Sequence, residues 1–231
     1  MNSERKARKT CENNRILETY KENPPKDNAI WEIRQFSESM QLVDAIYNDS
    51  IVNGLREKLS TYHHSAYVHC TNVAIRLIKL DFYMHHPQSD IINMAKAALI
   101  LDIGYIDLPL SYFQKEKWLE IAEYENLKTH SVRGAYIAKD SGLSETIQSY
   151  ILNHHENAEG LGYPNHKQGN LLSDEQLEIN LSDRFEAMQE KRPYREAKSL
   201  EDAYGTLLNM CSTEKEFHIV EKLKLSKQMF G

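Results

Sequence analysis

The chain has 231 residues, of which 41% are hydrophobic and 27% are charged, and its formal net charge is -6. These values are typical of a globular protein with one large domain or two small ones. The acidic balance argues against a binder of nucleic acid polymers or anionic membranes, because such proteins need an excess of basic residues. We find neither a signal peptide nor a run of about 18 apolar residues that could span a membrane, so we expect a cytoplasmic protein.

Apolar residues recur at helical spacing along most of the chain, and strand alternation persists nowhere. Residues 1–58 are predicted to form a small N-terminal helical segment, which we interpret as a sensory or interaction region; the pair Pro24-Pro25 interrupts it. Residues 59–231 follow as successive amphipathic helices, so the predicted fold class is all-α. The helices of this second part are expected at about 65–82, 90–102, 116–139, 144–155, 174–190 and 199–210.

Two helix ends and one long loop carry local signals. Gly142 is expected to end a helix, and Ser173 with Gln176 resembles a capping box. The insert NAEGLGYPNHKQGNLL, residues 157–172, holds three of the chain's nine glycines. Because glycine lets a backbone approach a ligand closely, we interpret this loop as functional.

The ten histidines include three adjacent pairs. Neighbouring residues on a helix point about 100° apart, so a pair converges on one site only at a helix end or beside two adjacent metals. His154 and His155 meet this condition because they directly precede the glycine-rich loop. The other two pairs are interpreted as solvated helix ends: His63/His64 and His85/His86.

One further histidine and two aspartates stand among apolar neighbours. His130 lies in a predicted helix with Gly134 one turn later, where the small residue permits close approach of another helix. Its sequence context fits a core histidine as well as a site residue. Asp102 ends the apolar run of AALILDIG, and Asp183 lies in INLSDRFEAM; buried carboxylates are usually paired or metal-bound. The combined nitrogen and oxygen donors are typical of iron, manganese or zinc sites. The three cysteines form no CxxC pair and are expected to be plain thiols.

Five segments, in order along residues 60–210, resemble the HD-GYP family, a branch of the HD-domain metal-dependent phosphohydrolases. HHENAEGLGYP is similar to the family's HHExxDGxGYP, with Glu159 in place of Asp. YENLKTHSVRGAYI resembles EEWxxMKxHPxxGAxIL, and NLSDRFEAM followed by KRPYREA resembles xVADxFDALTxxRPYRxA. HCTNVAIRL and AALILDIGYIDLP are similar to HSxRVAxLA and AALLHDIGKIGIP.

The resemblance implies an HD-domain helical bundle with a dinuclear metal centre that hydrolyses cyclic di-GMP. His69, Asp102 and Asp183 would bind one metal. Asp102 would bridge to a second metal and hold the attacking hydroxide. A third metal, found in some members, is not expected because Ser65 replaces a Glu of those members. Iron or manganese is favoured and zinc also fits. The remaining ligands of the second metal would be His130, His154 and His155.

In the family, the glycine-rich loop and the basic run KRPYR help to hold a guanine nucleotide. The basic run also fits a simple solvated turn, and that alternative stays open. On the resemblance we predict substrate-binding roles for Arg192, Arg195, Glu186, Tyr163 and Lys167.

Two positions depart from the family pattern. Leu101 replaces the His that names the family, so the first metal site keeps three protein ligands while the second keeps four. Three protein ligands plus water often suffice in catalytic sites, yet losing an imidazole should weaken metal binding by at least about 1.4 to 2.7 kcal/mol. Tyr105 replaces a Lys near the phosphate, leaving a phenol that can donate one hydrogen bond.

Two functional hypotheses follow. The first is a metal-dependent phosphodiesterase for a cyclic dinucleotide, atypical and weakly active. The alternative is a catalytically inactive member that binds metal and nucleotide, or a protein partner through its N-terminal segment, in signalling. Leu101 and Tyr105 favour the alternative, whereas the six ligand-type residues predict metal binding under both hypotheses. The sequence leaves open the metal's identity, the product and whether the chain forms a homo-oligomer.

Overall fold

The computed structural model describes residues 45–46, 48–115, 117–191 and 195–230, with side chains up to residue 226. The predicted N-terminal segment lies outside the described residues up to residue 44, as does Cys11. In the described part of the chain the fold is all-α, which confirms the predicted class. Its α-helices are α1 (Ser50–Tyr62), α2 (His64–Met84), α3 (Gln88–Leu99), α4 (Ile121–Lys128), α5 (His130–Asp140), α6 (Glu145–Asn153), α7 (Asp174–Gln189), α8 (Leu200–Met210) and α9 (Glu214–Phe230).

Helix α2 is central to the bundle and packs against α1, α3 and α7, while α5 packs against α6. A hydrophobic core joins α2, α7, α8 and α9, and the rings of Phe185 and Tyr204 lie 4.7 Å apart within it. None of the described helices has both the length and the apolar composition needed to cross a membrane. The core side chains are Leu80, Leu172, Leu177, Leu181, Phe185, Met188, Ala203, Tyr204, Leu207, Ile219, Val220 and Leu223.

The predicted helix ends are confirmed where the sequence carries capping signals. The Ser173 hydroxyl accepts from the Gln176 N–H at 3.3 Å, and the Gln176 side chain accepts from the Ser173 N–H at 3.1 Å. Gly142 follows α5 with a φ of +81°, a left-handed conformation that favours glycine.

Three predicted segments differ from the structure. The helix expected over 90–102 ends at Leu99, so Asp102 precedes a 3₁₀ turn, Ile103–Asp107, instead of standing in a helix. The helix expected over 116–139 begins at Ile121 and divides at Thr129, whose hydroxyl donates to the Asn126 carbonyl at 2.6 Å. Helix α1 runs across the boundary predicted between residues 58 and 59, and that division stays a prediction.

The sequence reading also missed α9. Its start carries a recognisable signal, because the Glu216 carboxylate accepts from the N–H of Thr213 at 3.1 Å and the Glu216 N–H donates back to the Thr213 hydroxyl at 3.3 Å. A Thr followed three residues later by Glu is a capping-box pattern like that of Ser173 and Gln176. This pattern predicts the start of α9.

Candidate metal centre

The turn that carries Asp102 lies directly on helix α5. A Cβ at Gly104 would clash with the carbonyl oxygen of His130, so only glycine permits this approach. On the same side of α5, a Cβ at Gly134 would meet Cγ2 of Ile151 at 2.9 Å. The close helix approach expected at Gly134 is therefore confirmed, and it brings α6 and the Asp102 turn to the same face of α5.

This packing gathers four potential ligands, which we call the second set. Each offers a ligand atom, and these atoms all lie within 4.8 Å of one another. Nε2 of His130 lies 3.1 Å from Nε2 of His154 and 3.1 Å from Nε2 of His155. Oδ1 of Asp102 lies 3.5 Å from Nε2 of His130 and 3.9 Å from that of His154. The second set consists of Asp102, His130, His154 and His155.

Hydrogen bonds to the backbone orient two of these imidazoles. Nδ1 of His130 lies 2.8 Å from the Leu127 carbonyl, and Nδ1 of His154 lies 2.6 Å from the Ile151 carbonyl. A carbonyl can only accept, so we assign the ring proton to Nδ1 in both residues. Their Nε2 lone pairs therefore face each other.

Burial keeps the histidines of the second set neutral. It lowers the pKa of His130 to about 4 and also lowers the pKa values of His154 and His155. At neutral pH no imidazolium proton is available to separate the facing lone pairs. Three neutral imidazoles converge beside a carboxylate, and two of them turn unprotonated Nε2 atoms toward each other. This arrangement fits a divalent cation, which would relieve the repulsion.

The other predicted ligands form a first set, His69 and Asp183, on α2 and α7. Nε2 of His69 lies 2.8 Å from Oδ1 of Asp183, and its Nδ1 lies 2.8 Å from Oε1 of Glu190. Burial lowers the pKa of His69, but the bonds to Asp183 and Glu190 outweigh it and hold that pKa well above its usual value. Leu101 is fully buried.

The two sets approach each other through Asp183. Its Oδ2 lies 3.8 Å from Nδ1 of His155. Burial raises the pKa of Asp183, yet the hydrogen bond with His69 outweighs it and holds that pKa well below the usual value. Among the described residues, only the second set brings three or more potential metal-ligand atoms within 4.8 Å of one another. A metal on the first set therefore stays a prediction.

Two tyrosines line the second set. The Tyr105 ring lies 4.7 Å from the His130 ring and 4.8 Å from that of Phe113. The Tyr163 ring lies 4.6 Å from the His155 ring, and burial raises the pKa of its phenol well above the usual value. Each phenol hydroxyl is a potential hydrogen-bond donor beside the candidate metal ligands.

The remaining predicted substrate-binding residues lie in different environments. Glu186 is buried and accepts from Nε of Arg76 at 2.6 Å, so its carboxylate already has a cationic partner. Nη2 of Arg195 donates to the Ala187 carbonyl. Arg192 lies outside the described residues.

Lys167 belongs to the glycine-rich loop. Its side chain lines a groove of about 480 Å³ between α5, α6 and residues 164–167. Its backbone N–H donates at 2.9 Å to Glu156, a fully buried residue that also accepts from the Asn165 N–H at 2.6 Å. Sequence reasoning missed the role of Glu156, although it directly follows the His-His pair. Substrate binding by all five predicted residues stays a prediction.

One histidine of the pairs interpreted as solvated is not solvated. His86 forms an ion pair at 2.9 Å with Glu178, whose side chain is 1% exposed, so the interpretation was wrong for His86. Nδ1 of His63 caps α2 by accepting from the Ala66 N–H at 3.0 Å. These interactions of His86 and His63 involve no residue of the second set.

A helical bundle that gathers histidines and aspartates from successive helices defines the HD-domain class. The HD domain family matches residues 71–215, and the chain belongs to that family. This confirms the resemblance at the level of the HD-domain superfamily.

Relatives of known function sharpen the comparison. The chain is 31% identical over 136 residues to a cyclic di-GMP phosphodiesterase of Thermotoga maritima, covering 58% of this chain and 37% of the relative. It is 30% identical over 120 residues to 3'3'-cGAMP-specific phosphodiesterase 1 of Vibrio cholerae, covering 50% and 28%. The chain thus matches well under half the length of these relatives.

Solved structures agree on the fold. An HDG"Y"P protein from Bdellovibrio bacteriovorus superposes with a TM-score of 0.59 at 16% identity, covering 97% of this chain and 81% of that one. The HD domain of the L. monocytogenes phosphodiesterase PgpH gives 0.57 at 16% identity, covering 75% and 97%. At such identities the likeness concerns the fold alone.

Proposed function

We propose that this chain is an HD-GYP-like, metal-dependent phosphodiesterase that hydrolyses a cyclic dinucleotide, with an atypical and weakly active centre. The observation that carries the proposal is the convergence of three neutral imidazole nitrogens and the Asp102 carboxylate in the second set. The matched relatives act, by their names, on cyclic di-GMP or 3'3'-cGAMP. Cyclic di-GMP is the substrate we favour, as the motifs of the loop suggest.

In this proposal Asp102, His130, His154 and His155 hold one divalent metal, with iron or manganese favoured over zinc. Asp102 would also serve a second, more weakly bound metal together with His69 and Asp183. A bound divalent metal neutralises phosphate charge and lowers the pKa of a bound water. Asp102 would hold the attacking hydroxide.

The chain's own residues then bind and orient the substrate. Tyr105 and Tyr163 flank the second set and offer phenol hydrogens to the phosphate or the base. Because Tyr105 replaces a cation, substrate binding and rate fall relative to family members with Lys at that position. Arg192, Arg195, Glu186 and Lys167 complete the predicted nucleotide site. A cytoplasmic location and partner contacts through residues 1–58 belong to the same proposal.

A metal count and a turnover assay test the proposal together. The purified chain is loaded with Mn²⁺ or Fe²⁺, metals per chain are measured by plasma mass spectrometry, and cyclic di-GMP and 3'3'-cGAMP are followed by chromatography. We expect about one tightly held metal and slow turnover that chelation abolishes. A chain that takes up no metal would contradict the proposal.

The alternative of an inactive member rests on a specific observation. His69 already satisfies both ring nitrogens with carboxylates, and Leu101 adds no ligand to the first set. Metal uptake with nucleotide binding but no turnover would favour this alternative. Loss of that binding in Arg192→Ala would identify the basic run as the nucleotide contact.

A further inference from the structure

One buried amide, that of Asn180, reaches from α7 to the backbone on both sides of His155. Asn180 is 3% exposed. Its Nδ2 donates to the carbonyl oxygen of His154 at 2.9 Å and also to that of Glu156. These carbonyls belong to the segment where the chain leaves α6, whose last carbonyls have no partner within the helix.

His155 depends on this backbone more than the other ligands of the second set do. Nδ1 of His130 and of His154 each bonds a carbonyl one turn earlier. Nδ1 of His155 instead lies 3.8 Å from Oδ2 of Asp183, beyond hydrogen-bond distance. The placement of the His155 ring therefore depends on the backbone of residues 154–156, together with its contacts to His130 and Tyr163.

The same segment is confined from the opposite direction by the glycine-rich loop. A Cβ at Gly162 would clash with the His155 carbonyl and with Cα of Glu156. The Tyr163 N–H donates to the His155 carbonyl at 3.2 Å. Asn180 and the loop thus hold the three consecutive carbonyls of residues 154–156.

The position of Asn180 also joins the two candidate ligand sets. It lies three residues before Asp183 on α7, so both side chains project from neighbouring positions on that helix. Asp183 contacts His69, while Asn180 holds the backbone of His155. A shift of α7 would move both together.

We propose that Asn180 is a positioning residue that aims His155 into the metal centre and couples its placement to that of Asp183. This inference rests on the proposed metal site. The residue was not among the site residues expected from the sequence, and it acts through backbone carbonyls without touching metal or substrate.

The test compares Asn180→Asp, which keeps the shape but removes the N–H donors, and Asn180→Ala with a matched control. Gln176→Ala removes another bond between α7 and α6, from Nε2 of Gln176 to the Ser149 hydroxyl at 3.0 Å, together with the capping bond from the Ser173 N–H, and spares the loop carbonyls. Both Asn180 variants should bind Co²⁺ about 10- to 100-fold more weakly. Their cobalt absorption spectra should shift toward that of His155→Ala, while the control keeps the wild-type spectrum.

A metal-free measurement separates this inference from the proposed function. In the chelated protein, hydrogen exchange at the Tyr163 amide should accelerate at least about 10-fold in both Asn180 variants and remain unchanged in the control. The reason is that losing the Asn180 bonds frees residues 154–156, including the His155 carbonyl that accepts from the Tyr163 N–H. Unchanged exchange in variants that still unfold cooperatively would overturn the positioning role. A wild-type chain that binds no Co²⁺ would instead overturn the metal site while the exchange result still decides the role of Asn180.

Discussion

The two candidate ligand sets solve the same problem, burial of charge and polar groups, in opposite ways. In the second set, three neutral imidazoles turn ring nitrogens toward one another beside one carboxylate, and the facing nitrogens of His130 and His154 are unprotonated. In the first set, one imidazole is bonded by two carboxylates, those of Asp183 and Glu190. The first set therefore satisfies its own charges with a protonated His69, whereas the second set lacks a cation.

This difference indicates which of the two sets needs a bound metal to be stable. A buried lone pair facing another lone pair costs free energy unless a proton or a cation lies between them. Burial removes the proton by lowering the pKa of His130 to about 4. The second set should therefore bind metal strongly, and the first set should tolerate its absence.

The largest expected effect separates the two sets directly. His130→Ala should lower Mn²⁺ affinity at the tight site by more than about 100-fold, since losing a ligand exceeds the cost of losing a residue that merely orients one. His69→Ala should lower it by no more than about 10-fold. Titration calorimetry with Mn²⁺ measures both affinities, and turnover of cyclic di-GMP should follow the same order.

The exposed His64, on the same helix as His69, provides the control for these substitutions. His64→Ala should bind Mn²⁺ as the wild type does. If His69→Ala lost the tight metal as completely as His130→Ala, the two sets would act as one unit and the contrast between them would be wrong.

The next effect tests how the second set is assembled. Gly104→Ala places a methyl group against the His130 carbonyl, so the Asp102 turn must move away from α5. We expect a loss of about 2 to 3 kcal/mol in the free energy of unfolding, together with weaker metal binding. Urea unfolding of the metal-free protein measures the first quantity.

Gly54 in α1 offers the matched control, because a Cβ there meets nothing within 4 Å. Gly54→Ala should stabilise the protein by about 0.5 to 1 kcal/mol, as expected for an interior helical position. Equal unfolding free energies for the two variants would contradict the close approach of the Asp102 turn to α5.

A smaller effect is expected from restoring the missing ligand of the first set. Leu101→His should let a second equivalent of Mn²⁺ bind about 10- to 100-fold more tightly than in the wild type, with faster turnover. Ile100→His is the control, since Ile100 is also fully buried. A second metal that binds equally in both variants would show that position 101 does not face the first set.

The residues of both candidate ligand sets could be predicted because they occupy motif positions, and the close approach at Gly134 could be predicted from residue size. The bond between Glu190 and His69 could not be predicted from the sequence. The two residues are 121 positions apart, and Glu190 stands where the motif specifies no residue. The division of one predicted helix at Thr129 was not predicted either. Apolar periodicity favours a continuous helix there, whereas the Thr129 hydroxyl bonds the Asn126 carbonyl. Hydrophobic periodicity therefore predicts neither the distant partner of a side chain nor a helix end that depends on a local side-chain bond.

The smallest effect is expected at His86 and Glu178. This buried pair combines a histidine with a carboxylate, as the first set does, but lies outside both ligand sets, so it tests whether a carboxylate alone keeps a buried histidine protonated. The hydrogen bond to Glu178 raises the pKa of His86 from 6.5 to about 9. A raised folded-state pKa means that the pair's contribution is complete below pH 6.5 and is lost as pH rises through about 9. His86→Gln should therefore destabilise the protein by about 1 to 3 kcal/mol at pH 6, and the difference from wild type should shrink by pH 10.

Urea unfolding of metal-free wild type, His86→Gln and the exposed-site control His64→Gln at pH 6, 8 and 10 measures this dependence. The control should differ from wild type by the same small amount at every pH. A His86→Gln difference that stayed constant across this range would show that the buried pair holds no proton. In that case a carboxylate beside a buried histidine would not suffice to charge it, and the first set would need a metal as much as the second set does.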